Sequence, residues 1–234
     1  MAWRLYLSLK NKYIATAGPC FNNRLMTSQF ITAEGIEGAG KTTQLAFIRE
    51  VLEAAGKKVL STREPGGTAL GEEIRSLLLQ QRQQGMTAEA ELLLLFAARA
   101  EHLHQVIRPA LASGIWVLCD RFTEASYAYQ GGGRGIAWER IAVLENWVQG
   151  ELRPDLTLLF DLPAEQGLAR AGRRGLMDRF ESEELAFFQR VRNAYLEQAA
   201  RHPDRYRIVD ASRSVAAVRA EVETILHPFL RESV

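Results

Sequence analysis

A chain of 234 residues, 47% of them apolar, is long enough for one sizeable core and short for two domains. Its 29 basic and 28 acidic side chains leave a formal net charge of +1, so composition gives no case for nucleic acid or a membrane surface as partner. No apolar run approaches the roughly 20 residues of a spanning helix, and Cys20 and Cys119 are too few and too far apart for a disulfide framework or a zinc site, so the chain reads as a cytoplasmic protein.

The first 25 residues do not match the rest of the chain. Their apolar stretch "LYLSL" is short for a signal peptide and no clean cleavage site comes after it. Met26 is therefore read as the start, with residues 1–25 an over-called or disordered extension and 26–234 one domain. From there strand-like and helical runs alternate, which predicts an α/β fold: a five-stranded parallel sheet with helices on both faces. "FITAE" (30–34) is the first strand, followed by a glycine-rich turn and a helix ending at Gly56. "KVLST" (58–62) is the second, and "ALGEEIRSLLL" the helix after it. A long helical run from Ala88 carries Pro109, where a kink or break is expected. "IWVLCD" (115–120), "LTLLFDL" (156–162) and "YRIVD" (206–210) complete the strands, the first being a continuous apolar run of the buried parallel type, with Cys119 a small buried hydrophobe within it. Helical patterns separate and follow them.

The unusual segments lie just after strands, or one helix beyond. In an open parallel sheet the strands' carboxyl ends share one edge, where ligands bind, so these segments are expected to form one composite site. Gly35, Gly40, Lys41 and Thr42 satisfy G-x-x-x-x-G-K-[ST] between a strand and a helix, the context a phosphate-binding loop requires. The cradle is Gly35, Ile36, Glu37, Gly38, Ala39, Gly40, Lys41, Thr42 and Thr43. Glycines let backbone N–H groups turn inward, the new helix adds its positive end, Lys41 supplies a mobile charge for the β- and γ-phosphates, and Thr42 a hydroxyl for Mg²⁺.

This predicts nucleoside triphosphate binding and leaves the reaction open among a kinase, an ATPase motor and a GTP switch. A GTP switch would show an N/T-K-x-D base-reading motif, and none is present. A motor would place an acid beside Asp120 to activate water; here the neighbour is Arg121, a cation suited to a second phosphate. His102 and His104, two apart on a helix, face different ways and are read as structural or surface residues.

The order "EGIEGAGKTTQ", "TREPGGT", "LLLLFAARAEH", "CDRFTEASYAYQGGGRG", "RPDLTLLFDLP", "GLMDRFE" resembles the thymidylate kinase family, nearest its bacterial form, over positions 30 to about 225. The resemblance implies transfer of the γ-phosphoryl of ATP to dTMP with Mg²⁺, in the supply of dTTP for DNA synthesis. The alternatives are another nucleoside monophosphate or deoxynucleoside kinase, or an ATPase or GTPase switch. It also implies that Glu37 reaches the deoxyribose 3′-hydroxyl, that Arg121 grips the dTMP phosphate, and that Asp120 acts with Thr42 through the metal or its waters. Glu64 and Arg75 lie near the acceptor, Phe96 and Arg99 take the base by stacking and hydrogen bonding, Ser126 and Gln130 bond the base edge, and Tyr129 packs at the sugar. Many members place the aromatic ring four residues before the arginine, where this chain has Leu95. Where some relatives carry an arginine after the acidic cradle residue, this chain has Gly38, so the transition state is expected to draw its arginine from a lid over about 167–182. That lid offers Arg170, Arg173, Arg174 and Arg179, with Arg174 matching the catalytic position best and Arg170 beside it. "VDASRS" (209–214) matches the adenine-side loop, and a homodimer through the long helices is implied.

Overall fold

The computed structural model describes residues 28–81, 84–172, 179–180 and 183–232. The expectations for residues 1–25, for Met26, and for Arg173 and Arg174 lie outside these. Strands β1 (Phe30–Glu34), β2 (Val59–Arg63), β3 (Trp116–Asp120), β4 (Leu156–Asp161) and β5 (Tyr206–Asp210) form one parallel sheet in the order β2-β3-β1-β4-β5. β2 begins one residue later than the pattern suggested and β3 is one shorter, although the ladder carries on, with Trp116 N–H donating to the Lys58 carbonyl.

Alternation along the strands distributes the core. Ile31 and Ala33 of β1, Trp116 and Leu118 of β3, and Leu156, Leu158 and Phe160 of β4 face one side, against Ile48, Leu52, Val218, Val222 and Leu226. Phe30, Val117 and Cys119 face the other, against Leu103, Ile107 and Leu111, while Leu159 packs with Phe188 and Tyr195. Both faces are covered, which is why these strands read as near-continuous apolar runs. Cys119 is fully buried and its thiol is pushed up by that burial, so it is inert.

The helices are α1 (Lys41–Ala54), α2 (Ala69–Leu79), α3 (Ala88–His102), α4 (Arg108–Ala112), α5 (Thr123–Ser126), α6 (Trp138–Gln149), α7 (Ala164–Ala171), α8 (Leu185–Arg201) and α9 (Val215–Glu232). α1 ends as its sequence predicts: Gly56 is left-handed, its N–H donates to Glu53, and the Lys57 N–H reaches back to Leu52. Pro109 does not stop the long helix. Between α3 and α4 the backbone widens into a π turn (Leu103–Ile107), which absorbs the N–H that proline lacks. A second π turn (Tyr127–Gly133) continues α5, so the segment after β3 is helical in this form.

The strands share one further property. Each ends at the same edge in a charged residue: Glu34, Arg63, Asp120, Asp161 and Asp210. Ala33 and Arg63 are both in register with Asp120, and Asp161 with Asp210. Apolar strands ending in ionisable residues set the floor of a polar site.

Candidate active site

β1 hands the chain to the turn over 35–40, and α1 starts at Lys41. Unlike α2 and α3, whose first turns are capped by Thr68 and Thr87, α1 has no side-chain cap and no acidic residue in its first turn. Its first N–H groups and positive end are left open to an anion. Lys41 is buried, with Nζ donating to the carbonyls of Gly35 (3.1 Å) and Ile36 (3.3 Å). Burial, and then the neighbouring Arg121, pull its pKa down to about 8, against the opposing pull of Asp120, Glu37 and Glu34. Thr42 and Thr43 are exposed on the first turn, while Ala39 and Ile36 turn inward and anchor the loop. Gly38 is left-handed and lies against Gly167 of α7 so closely that a Cβ would sit 2.8 Å from the Gly167 carbonyl carbon. No side chain fits there in this arrangement. The arginine that some relatives carry at this place is excluded on steric grounds.

Arg121 follows the end of β3. It is the one non-glycine residue with positive φ (68°) among the described residues, its N–H donating to Ala33. That turn swings its side chain back over the cradle. Nη1 donates to the Gly35 carbonyl (2.9 Å) and to the Tyr195 hydroxyl (3.1 Å), and Nη2 to Glu37 Oε1 (2.7 Å) and the Tyr129 hydroxyl (3.0 Å). Tyr129 in turn donates to Glu37 Oε2 at 2.5 Å. The carboxylate that looks misplaced in a phosphate cradle is thus the counter-ion of Arg121 and the acceptor of Tyr129. Burial pushes both tyrosine hydroxyls well above the ordinary phenol range, so both remain donors.

Behind Arg121 lies Glu34, fully buried at the end of β1. Its Oε1 accepts from the Phe122 N–H and its Oε2 from the Tyr195 hydroxyl, each at 2.7 Å. Burial, then the nearby Glu124, push its carboxyl up to about 8. Asp120 occupies the neighbouring strand end, and its Oδ1 is buried without a hydrogen-bond partner. An orphaned carboxylate oxygen close enough to Lys41 to raise its pKa, on the same edge as the Thr42 hydroxyl, fits a hard cation or its water.

The residues expected on the base side form a second buried network. Arg99 Nε donates to Glu64 Oε2 (2.7 Å), Nη1 to Ser126 Oγ (3.2 Å) and Nη2 to the Phe122 carbonyl (3.2 Å). Its guanidinium lies 4.6 Å from the Phe96 ring centre. Phe96 itself is 2% exposed and packs with Leu92, Ile136 and Ile141, so its ring is a core element beneath Arg99. Leu95 packs instead toward Ile74, Leu78 and Ala98. Glu64 Oε1 is bonded to His102 Nδ1 (3.0 Å), and His102 Nε2 to Thr62 Oγ1 (2.6 Å); His104 is exposed. Arg75 Nη1 donates to the Pro65 carbonyl, beside Glu64. Gln130 donates through Nε2 to the buried Glu91 (2.7 Å), which leaves its Oε1 unpartnered. Glu91 also meets Arg134 and Arg179.

The lid arginines that are described do not converge on the cradle. Arg170 Nη1 donates to Ala211 (2.9 Å), within the segment 209–214, and Arg179 to Leu78 and Glu91. Each pairs with acceptors on a different element. Sequence reasoning missed Glu34, Glu91, Tyr195 and Gly167. The charges on Glu34 and Glu91 inside apolar runs were visible signals, whereas Tyr195 reads as one more apolar position of an amphipathic helix.

A family model for thymidylate kinase matches residues 33–222. The chain is 60% identical over 205 residues to thymidylate kinases of Ectopseudomonas mendocina and Pseudomonas syringae pv. tomato, covering 88% of this chain and 98% of each relative. The crystal structure of a thymidylate kinase from Ehrlichia chaffeensis superposes with a TM-score of 0.69 at 34% identity, over 86% of this chain and 99% of that one.

Proposed function

This chain belongs to the thymidylate kinase family and passes a phosphoryl group from ATP to dTMP, giving dTDP; from that premise we propose how its residues divide the work. The observation that carries the reading is the meeting of two cations on one oxygen: Lys41 Nζ and Arg121 Nη1 both donate to the Gly35 carbonyl, at 3.1 and 2.9 Å. One comes from the donor cradle and the other from the acceptor strand end. Each is held by carbonyls and side chains that phosphate oxygens can replace.

In this reading the open N-terminus of α1 and Lys41 take the triphosphate, and Arg121 takes the dTMP phosphate. Glu37, tied to Arg121 and Tyr129, offers the deoxyribose 3′-hydroxyl a strong acceptor. Arg99, with Ser126 and Gln130, faces the base edge. The buried Glu64–His102 pair fixes the direction in which the Arg99 fork points. Tyr129, packed against Phe187 and Tyr195, leaves little room for a 2′-hydroxyl. Thr42 and Asp120 would hold Mg²⁺, which supplies neutralising charge to the phosphates. The attacking phosphate ionises near a pKa of about 6, so it needs no general base at neutral pH. With Gly38 lacking a side chain, the charge of the transferring group falls to Lys41 and to the lid, where Arg174 is the residue that the resemblance matches.

A homodimer and a cytoplasmic location complete the proposal. Leu70 and Leu77 on α2, Leu93 on α3, and Val143 and Trp147 on α6 are exposed, Trp147 by 83%, and α3 packs between α2 and α6. One apolar surface on three adjacent helices suits a second copy of the chain.

The test is a coupled ADP-release assay across dTMP, dUMP, UMP and CMP. The reading requires dTMP-dependent turnover at least tenfold faster than any other acceptor, near-complete loss in Lys41→Ala and Arg121→Ala, and circular dichroism spectra like that of the parent. Retention of most activity in either variant refutes the assigned roles.

A further inference from the structure

We propose that Glu34 is a positioning residue for phosphoryl transfer, one that holds Arg121 at both of its ends. The inference rests on the reading that Arg121 grips the acceptor phosphate. At the backbone end, the left-handed turn at Arg121 is followed by the Phe122 N–H, which donates to Glu34 Oε1. At the side-chain end, Arg121 Nη1 donates to the Tyr195 hydroxyl, which donates onward to Glu34 Oε2. One carboxyl therefore braces a strained backbone and, through a tyrosine, the guanidinium that the strain redirects.

A carboxyl with no solvent exposure is an expensive way to end a strand that leucine would end equally well. The groups facing it explain what it does. Glu124 opposes its charge, while Arg121 and the Tyr195 hydroxyl favour it, and the two groups that donate hydrogen bonds to it, the Phe122 N–H and the Tyr195 hydroxyl, both adjoin Arg121. On Lys41 it acts only as a charge, behind Asp120 and Glu37 among those that raise that pKa, while the Lys41 hydrogen bonds go to backbone carbonyls. Removing it should accordingly loosen Arg121 and spare the ATP cradle.

Three variants test this by Kd for dTMP and for ATP, kcat at saturating substrate, and thermal midpoint. Glu34→Met keeps the volume and removes both acceptors; dTMP binding should weaken about tenfold or more with ATP binding within about threefold. Glu34→Gln keeps an acceptor for the Phe122 N–H, and Tyr195→Phe cuts only the relay. Glu34→Gln, which loses the one bond from Tyr195, should weaken dTMP binding about threefold, and Tyr195→Phe, which loses its bonds to both Glu34 and the Arg121 guanidinium, by about threefold or more. The double variant Glu34→Met/Tyr195→Phe should bind dTMP no worse than Glu34→Met, because both act on one path. Unchanged dTMP binding, equal weakening of both ligands, or a loss confined to the thermal midpoint would each overturn the proposal. If Glu34→Met does not fold, unchanged dTMP binding in the other two variants overturns it. Arg121→Ala is the control: if that variant binds dTMP normally, the reading of Arg121 fails, and the fault lies there and not with Glu34.

Discussion

Gly38 and Gly40 offer a paired test of how closely α7 seats on the cradle. Both are left-handed, with φ of 76° and 80°. They differ in what a methyl group would meet. At Gly38 it would overlap the Gly167 carbonyl, with the carbon 2.8 Å and Cα 2.9 Å away, while at Gly40 nothing lies within 4 Å. Gly40→Ala should therefore cost only the left-handed penalty, about 1–2 kcal/mol. Gly38→Ala should add the overpacking of rigid backbone against rigid backbone, about 1–3 kcal/mol more, for a total of about 2–5 kcal/mol. Urea unfolding of the nucleotide-free protein at 25 °C, read by circular dichroism, measures both under identical conditions. A Gly38→Ala loss within about 0.5 kcal/mol of the Gly40→Ala loss would falsify the close contact and, with it, the steric exclusion of arginine from that position.

Three further outcomes are expected. Because Lys41 titrates near 8 in the nucleotide-free protein, below its ordinary 10.5, it is increasingly neutral above pH 8, while bound phosphates favour the cation. ATP affinity should then fall as pH rises past about 8, by up to about tenfold per unit, and calorimetry in buffers of different ionisation enthalpy near pH 8.5 should show proton uptake on binding. Asp120→Asn, or chelation of Mg²⁺ in the parent protein, should reduce kcat about 100-fold or more with the fold intact, and excess Mg²⁺ should restore the parent only. Trp147→Arg, at the most exposed apolar residue of that surface, should shift the sedimentation coefficient from dimer toward monomer at micromolar concentration; an unchanged profile would remove α6 from the interface.

The sequence by itself settled what depends on local chemistry. The spacing of the cradle's glycines, Lys41 and Thr42 predicts a turn between β1 and α1, and the turn is there, since a turn of that kind needs no distant partner. Period and apolar content placed all five strands, because a sheet covered on both faces must be apolar on both. Even the end of α1 at Gly56 was legible, as a left-handed cap is a property of one residue.

Tertiary structure decided what depends on partners far along the chain. Glu37 reads as a misplaced charge until Arg121, 84 positions on, folds back to meet it. Glu34 and Tyr195 are 161 positions apart and meet only because α8 packs against β4, the neighbour of β1. The lid arginines looked alike in the sequence, yet Arg170 and Arg179 pair with acceptors on opposite flanks of the site. A side chain's hydrogen-bonding capacity is written in its residue type. Which partner satisfies it is fixed only when burial forces every polar group near it to find one.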